Sequence, residues 1–146
     1  MADVPETTLP EALAESLSEV SGIVGIGTDL LDAARIEKAY QRRGERLVKR
    51  FLTPAEQQAW QQRGQSINYL AKRFAAKEAL AKALGTGIAK GIGFQQLEVL
   101  NNPQGAPVVT LYDGALARMQ QLGGRQAWIS LSDEGDWIQA FAVISA

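Results

Sequence analysis

The chain reads as an α+β protein in which an antiparallel sheet packs against helices. Two features predict this. The middle of the sequence carries apolar residues at helical spacing, from Ile36, Tyr40, Leu47 and Phe51 into the long run that ends at Gly85, while strand-like runs occupy the two ends, "GIVGIGTD" and "QAWISLSDEGDWIQAFAVISA". With 146 residues, 46% hydrophobic and 21% charged, the chain is long enough for one domain with a sizeable core. Residues 1–21 stand apart as an acidic N-terminal extension, leaving 22–146 as the domain.

In chain order, Ile23, Val24 and Ile26 alternate with glycines ahead of Asp29, which predicts a short, buried, central strand whose end presents the aspartate. One or two helices follow, interrupted near Gly44. "TPAE" then supplies a Thr53 cap, Pro54 in the first turn and Glu56 as capping-box partner for the next helix. A long helix starts near Ser66 and closes at Gly85, where a glycine is the expected left-handed cap. "FQQLEVLNNPQGAPVVTLY" predicts two strands around an Asn-Pro-Gln-Gly turn. "DGALARMQQLGG" predicts a helix, and the last segment a hairpin turning at "DEGD".

The composition excludes whole classes of chemistry. Histidine and cysteine are both absent, which removes Ser-His-Asp triads, thiolate nucleophiles, disulfides and most zinc sites, so any metal must be held by oxygen. No apolar run spans a bilayer and no signal peptide opens the chain, so a cytoplasmic protein without membrane contact is expected. The net charge of -1 is unevenly spread. Residues 1–21 hold five acids (Asp3, Glu6, Glu11, Glu15, Glu19) and no base, whereas seven Lys and Arg fall between Arg35 and Arg50 against only Glu37 and Glu45, a surface suited to an acidic partner.

In "RFAAKEALAKALGTG", Glu78 falls about 40° around the helix from Phe74, beside the apolar stripe of Leu70, Phe74 and Ala81. A carboxylate losing water there needs a cation. One candidate is Lys82, at i+4. The other is a metal shared with Asp29, because magnesium prefers oxygen and is commonly held by one or two carboxylates plus substrate phosphates. Lys72, Arg73, Lys77 and Lys82 surround Glu78 with cations suited to phosphate. The glycine motifs decide nothing alone: after Gly25 and Gly27 a dinucleotide fingerprint requires glycine where Leu30 stands, and "GTGIAKGIG" lacks the Gly-Lys-Ser/Thr ending of a phosphate loop.

"GIGTDLLDAARIEKA" and "YLAKRFAAKEALAKALGTGI", in that order, together resemble holo-acyl-carrier-protein synthase, the small bacterial type of 4'-phosphopantetheinyl transferase. The likeness extends from Gly22 to Ala146 through "FLTPAE", "FQQLEVLNNPQGAP" and the terminal hairpin. The resemblance implies the phosphopantetheinyl transferase fold, a homotrimer with nucleotide between neighbouring subunits, and magnesium-dependent transfer of the 4'-phosphopantetheine arm of coenzyme A to a serine of apo acyl carrier protein. That reaction releases adenosine 3',5'-bisphosphate and serves fatty acid synthesis. It further implies Asp29 and Glu78 as magnesium ligands, phosphate contacts from Lys77 and Lys82, nucleotide contacts from Arg73 and from Gly85, Thr86 and Gly87, and docking of the carrier protein on Arg35 and Arg42. Many relatives carry a histidine after the "S-x-S" of the penultimate strand, where this chain has Asp133. The implied catalytic set is therefore Glu78, Lys82 and Asp133, with Glu78 acting through a magnesium-bound water as general base.

Two other functions fit parts of the sequence. The basic Arg35–Arg50 region could grip nucleic acid, although a sequence pI near 5.5 favours an acidic protein partner. An inactive carrier-protein-binding homologue is opposed by the intact Asp29, Lys77, Glu78 and Lys82. The extension has its own pattern: Thr8 and Glu11 form a capping box, and Leu9, Leu13, Leu17 and Val20 recur at helical spacing. This predicts a short acidic amphipathic helix, which either packs its leucines on the body of the protein or occupies the Arg35 and Arg42 surface.

Overall fold

The computed structural model describes residues 22–146. The acidic extension, and the helix expected in it, lie outside the described residues. Strand β1 (Ile23–Asp32) leads into helices α1 (Ala33–Arg43), α2 (Glu45–Phe51), α3 (Pro54–Gln62) and α4 (Ile67–Ala83). After a 3-10 turn at Phe94–Gln96 come the hairpin β2 (Leu97–Asn101) and β3 (Pro107–Leu111), helix α5 (Asp113–Gln121) and the hairpin β4 (Gln126–Glu134) and β5 (Trp137–Ser145). The α+β class and the element order follow the sequence reading.

The helix boundaries obey local chemistry. Asp32 caps α1 by accepting from the Ala34 amide, and Gly44, at φ 57°, breaks α1 from α2. Thr53 and Glu56 form the reciprocal capping box of α3. Ser66 caps α4, and Gly85 takes the left-handed conformation (φ 77°) just past its end.

Two antiparallel sheets result, one ordered β1-β5-β4 and the other β2-β3. The first strand corrects the expectation. It is ten residues long, not short, because it pairs with the whole of β5, from Ile23 opposite Ser145 to Asp32 opposite Trp137. Nor is it central: β5 lies between the other two strands, which leaves β1 on an edge, with Asp29 three residues before its end.

Helix α4 crosses the inner face of this sheet, where Leu31, Ile138, Ala140, Ala142 and Ile144 meet Ala75, Ala79 and Ala83 in the core. The approach is closest at β1. A Cβ added to Gly27 would overlap the Ala79 carbonyl oxygen and lie 2.7 Å from the Ala83 nitrogen, and one added to Gly25 would overlap the Ala83 carbonyl oxygen. Both glycines are therefore required by space rather than by backbone angle.

A second fixture is wholly buried. Lys77 Nζ donates to Glu56 Oε1 (2.6 Å), to the Phe51 carbonyl (2.6 Å) and to the Phe94 carbonyl (2.9 Å), while Glu56 also accepts from the amides of Thr53 and Val99. Burial pulls the Lys77 ammonium below its ordinary pKa, and the Glu56 carboxylate opposes that shift. An ion pair without solvent is tolerable only with such complete hydrogen bonding, since each ion loses several kcal/mol of hydration. It ties α4 to α2, α3 and the β2-β3 hairpin.

Gly27→Ala is expected to lower stability by about 2 kcal/mol, because backbone atoms of α4 must shift to admit a methyl group. Gly93→Ala is the control, since its Cβ would meet nothing within 4 Å. Denaturant unfolding of the two variants checks this; equal midpoints would refute the close-packing argument.

Candidate active site

The close approach of β1 to α4 places the Gly-Thr-Asp and Lys-Glu motifs against each other. Lys82 reaches across to β1, where Nζ donates to the Thr28 carbonyl (2.9 Å) and meets Asp29 Oδ1 at 3.4 Å. The pairing of Lys82 with Glu78 that the i+4 spacing offers is not made. Among the described residues, no Lys or Arg nitrogen forms an ion pair with Glu78. Burial raises the Glu78 carboxyl above its ordinary pKa, the neighbouring Asp29 charge raises it further, and Lys82 offsets only part of this. The site is thus two carboxylates and an ammonium, with one carboxylate holding its charge at a cost. Among the described residues, no group of three metal-ligating side chains occurs.

Several expected site residues lie elsewhere or are already engaged. Lys77 does not face a phosphate: its ammonium is sealed in the core by the three oxygens described above, and its side chain has no exposure. The Gly85–Gly87 loop does not present free backbone amides, because Gly85 N donates to the Lys82 carbonyl and both Thr86 N and Gly87 N donate to the Ala81 carbonyl. Those groups finish the helix, and the Thr86 hydroxyl donates to the Gly87 carbonyl. Asp133 is held by Lys72 Nζ at 3.1 Å and by the Asn68 side-chain amide at 3.4 Å. The Lys72 pair pushes its carboxyl below the usual range, which disfavours Asp133 as a proton acceptor.

Arg73 lies five residues before Glu78, so it points about 140° away around α4. It is 2% exposed, donates to Asn101 Oδ1 at 2.7 Å and stacks 4.2 Å from the Tyr69 ring centre. Arg63 lies over the same ring at 5.1 Å. These residues, with Ser66 and Lys72, line a cleft of ≈ 440 Å³. Arg73 Nε and Tyr69 Oη are buried there without a hydrogen-bond partner. Buried polar atoms rarely stay unpaired, so a cleft with three cations and two such atoms suits an anionic ligand. Sequence reading missed all of it except Arg73 and Lys72. Tyr69 and Arg73 are one helical turn apart, the only local signal; Arg63 and Asn101 arrive from other elements.

Arg35 and Arg42 are exposed on α1, as the docking expectation requires. They rim a groove of ≈ 300 Å³ with Lys38 and Arg43, and its floor includes Leu47, Phe51 and Phe74. A further apolar surface was not anticipated. The outer face of the three-stranded sheet leaves Ile26, Leu30, Trp128, Trp137 and Phe141 exposed, and the register sets Ile26, Val143 and Trp128 side by side across it. The signal was present in β5, "WIQAFAVIS", which is apolar on both faces.

Residues 25–142 match the family model described as the 4'-phosphopantetheinyl transferase superfamily. The chain belongs to that superfamily. It is 51% identical over 122 residues to a holo-[acyl-carrier-protein] synthase of Shewanella amazonensis, a match covering 84% of this chain and 98% of that relative. The crystal structure of the holo-[acyl-carrier-protein] synthase from Neisseria meningitidis superposes with a TM-score of 0.77 at 40% identity, covering 84% of this chain and 98% of the other. That of the Helicobacter pylori synthase in complex with coenzyme A gives a TM-score of 0.72 at 31% identity, covering 82% and 98%. The family resemblance read from the two motifs is borne out.

The raised Glu78 pKa has a consequence for stability. The folded state binds this proton more tightly than the unfolded chain, so stability falls as pH rises from the ordinary value of 4.5 through the raised one and stays lower above it. In chelator, Glu78→Gln is expected to melt at a higher temperature than the parent at pH 7, with the difference vanishing below the ordinary glutamate pKa. Calorimetry across pH reads it, and a glutamine variant no more stable at pH 7 would contradict the crowded-carboxylate geometry.

Proposed function

We propose that this protein transfers the 4'-phosphopantetheine arm of coenzyme A to a serine of an apo acyl carrier protein, releasing adenosine 3',5'-bisphosphate. The observation that carries the reading is Glu78, a carboxylate raised in pKa beside Asp29 with Lys82 bridging back to β1. Two carboxylates that disfavour each other's charge fit a hard cation, and they supply the one or two ligands magnesium takes from protein. Asp29 and Glu78 would hold it, and when bound it supplies charge neutralisation at a pyrophosphate. Lys82, half exposed, offers an ammonium to the same phosphates from its anchored position. Glu78 is the group toward which the serine proton moves. Arg35 and Arg42 receive the acidic carrier protein.

The cleft around Arg73 takes the nucleotide phosphates. It lies on the far side of α4 from Glu78, so one coenzyme A can touch both sets only when neighbouring subunits each contribute one. This supports the homotrimer, as does the exposed apolar face of the sheet, which a second and third copy would cover. The Helicobacter pylori relative is described as a complex with coenzyme A, and a Bacillus anthracis relative likewise. No helix of the described residues is long and apolar enough to cross a membrane, in keeping with a reaction in the cytoplasm.

Incubated with coenzyme A, magnesium and an apo carrier protein, the enzyme is expected to add roughly 340 Da to the carrier, the mass of the arm. Asp29→Asn and Glu78→Gln should each retain less than about a tenth of the rate, as should the parent in excess EDTA. Full activity in EDTA would sink the metal assignment.

Trp128→Arg and Phe141→Arg are expected to yield monomers by light scattering and to lower transfer at least about tenfold, because each places a charge on the covered face. Leu116→Arg, exposed on α5 and not part of that sheet, is the control for both readouts. A fully active monomer would count against shared sites.

A further inference from the structure

We propose that the groove on α1 is also the docking site of the chain's own N-terminal segment, residues 1–21, which competes there with the acidic protein partner. The groove has a basic rim of Arg35, Lys38, Arg42 and Arg43 and an apolar floor at Leu47, Phe51 and Phe74. Its occupant must therefore be acidic with an apolar face. Residues 1–21 meet both conditions: five acids and no base, with Leu9, Leu13, Leu17 and Val20 at helical spacing.

The relatives at 51% and 49% identity leave almost none of their own length to match this segment. The family match begins at residue 25, and those relatives are matched over 98% of their own length by only 84% and 85% of this one. The described domain therefore corresponds to essentially complete relatives, so a chain of residues 22–146 is a folding unit. Reach is not limiting. Gly25 packs against Ala83, and Phe74 stands nine residues, about 14 Å, back along α4, a gap that the five residues from Val20 to Gly25 span at about 17 Å when extended.

Tethering makes a weak contact effective. At an effective concentration on the order of 1 mM, a segment with an intrinsic dissociation constant of about 0.25 mM raises the apparent KM of a competitor about fivefold. Such a contact is too weak to hold when the segment is detached and dilute, and strong enough to set access to the groove when attached. The kinetic part of this inference rests on the transferase reading, whereas the binding part does not.

The test has two arms. In the first, a fluorescent peptide of residues 1–21 is titrated with residues 22–146 up to a concentration on the order of 1 mM at low ionic strength, with no coenzyme A or carrier protein present. Saturable anisotropy that is lost in the Arg35→Glu, Arg42→Glu double variant is expected; no binding, or binding indifferent to that variant, overturns the proposal. In the second arm, transfer is measured for the full chain, for residues 22–146, and for a full chain whose five N-terminal acids are changed to Asn or Gln. Both altered proteins should show a carrier-protein KM lower by about fivefold, with kcat and the coenzyme A KM unchanged, and the difference should close as salt screens the contact. An unchanged carrier KM at low salt overturns the competition, as does a lower kcat. Peptide binding through the two arginines in a protein that transfers nothing would support this inference and sink the transferase reading. Normal transfer without peptide binding would do the reverse.

Discussion

The closeness of β1 to α4 is the constraint on which the rest of the site depends. Gly25 and Gly27 let the strand backbone lie against the Ala79 and Ala83 turns, with no room for a Cβ between them. This contact sets the Thr28 carbonyl within 2.9 Å of Lys82 Nζ and brings Asp29 close enough to raise the pKa of Glu78. A strand held a few ångströms further out by ordinary side chains would separate the two carboxylates correspondingly. The glycines thus act on chemistry through distance rather than through flexibility.

The Glu56–Lys77 pair performs the complementary task on the other side of α4. Its oxygens and nitrogens join the capping box of α3, the end of α2, the turn at Phe94 and strand β2 to one lysine of the long helix. A buried ion pair is no better than apolar packing as a source of stability, but it accepts few alternative geometries. Because Lys77 and Glu78 are adjacent, fixing the first in the core fixes the direction of the second toward β1. The lysine is best understood as the anchor of the catalytic helix.

Helix α4 separates two regions of different character. One face carries the carboxylates and Lys82, and the opposite face carries Arg73, Tyr69 and Lys72 at an anion-suited cleft. In the proposed trimer, the apolar outer face of the sheet would bring one subunit's carboxylates to another's cations.

The sequence by itself determined the α+β class, the Thr53 capping box and the helix ends, the hairpins, and the family through two motifs. These rest on local chemistry: Thr53 with Glu56, Ser66, Gly85 and the "DEGD" turn each act within a few residues. It also marked Asp29 and Glu78, since a carboxylate beside an apolar stripe is anomalous wherever the helix packs. Only the tertiary structure decided that Lys77 points inward and that Asp133 is occupied by Lys72. The reason is the same in each instance. A cation or amide in a motif looks alike whether its partner is substrate or protein, and the partners here, Glu56 at 21 residues and Asp133 at 61 residues from their lysines, are set by packing between elements distant in the chain.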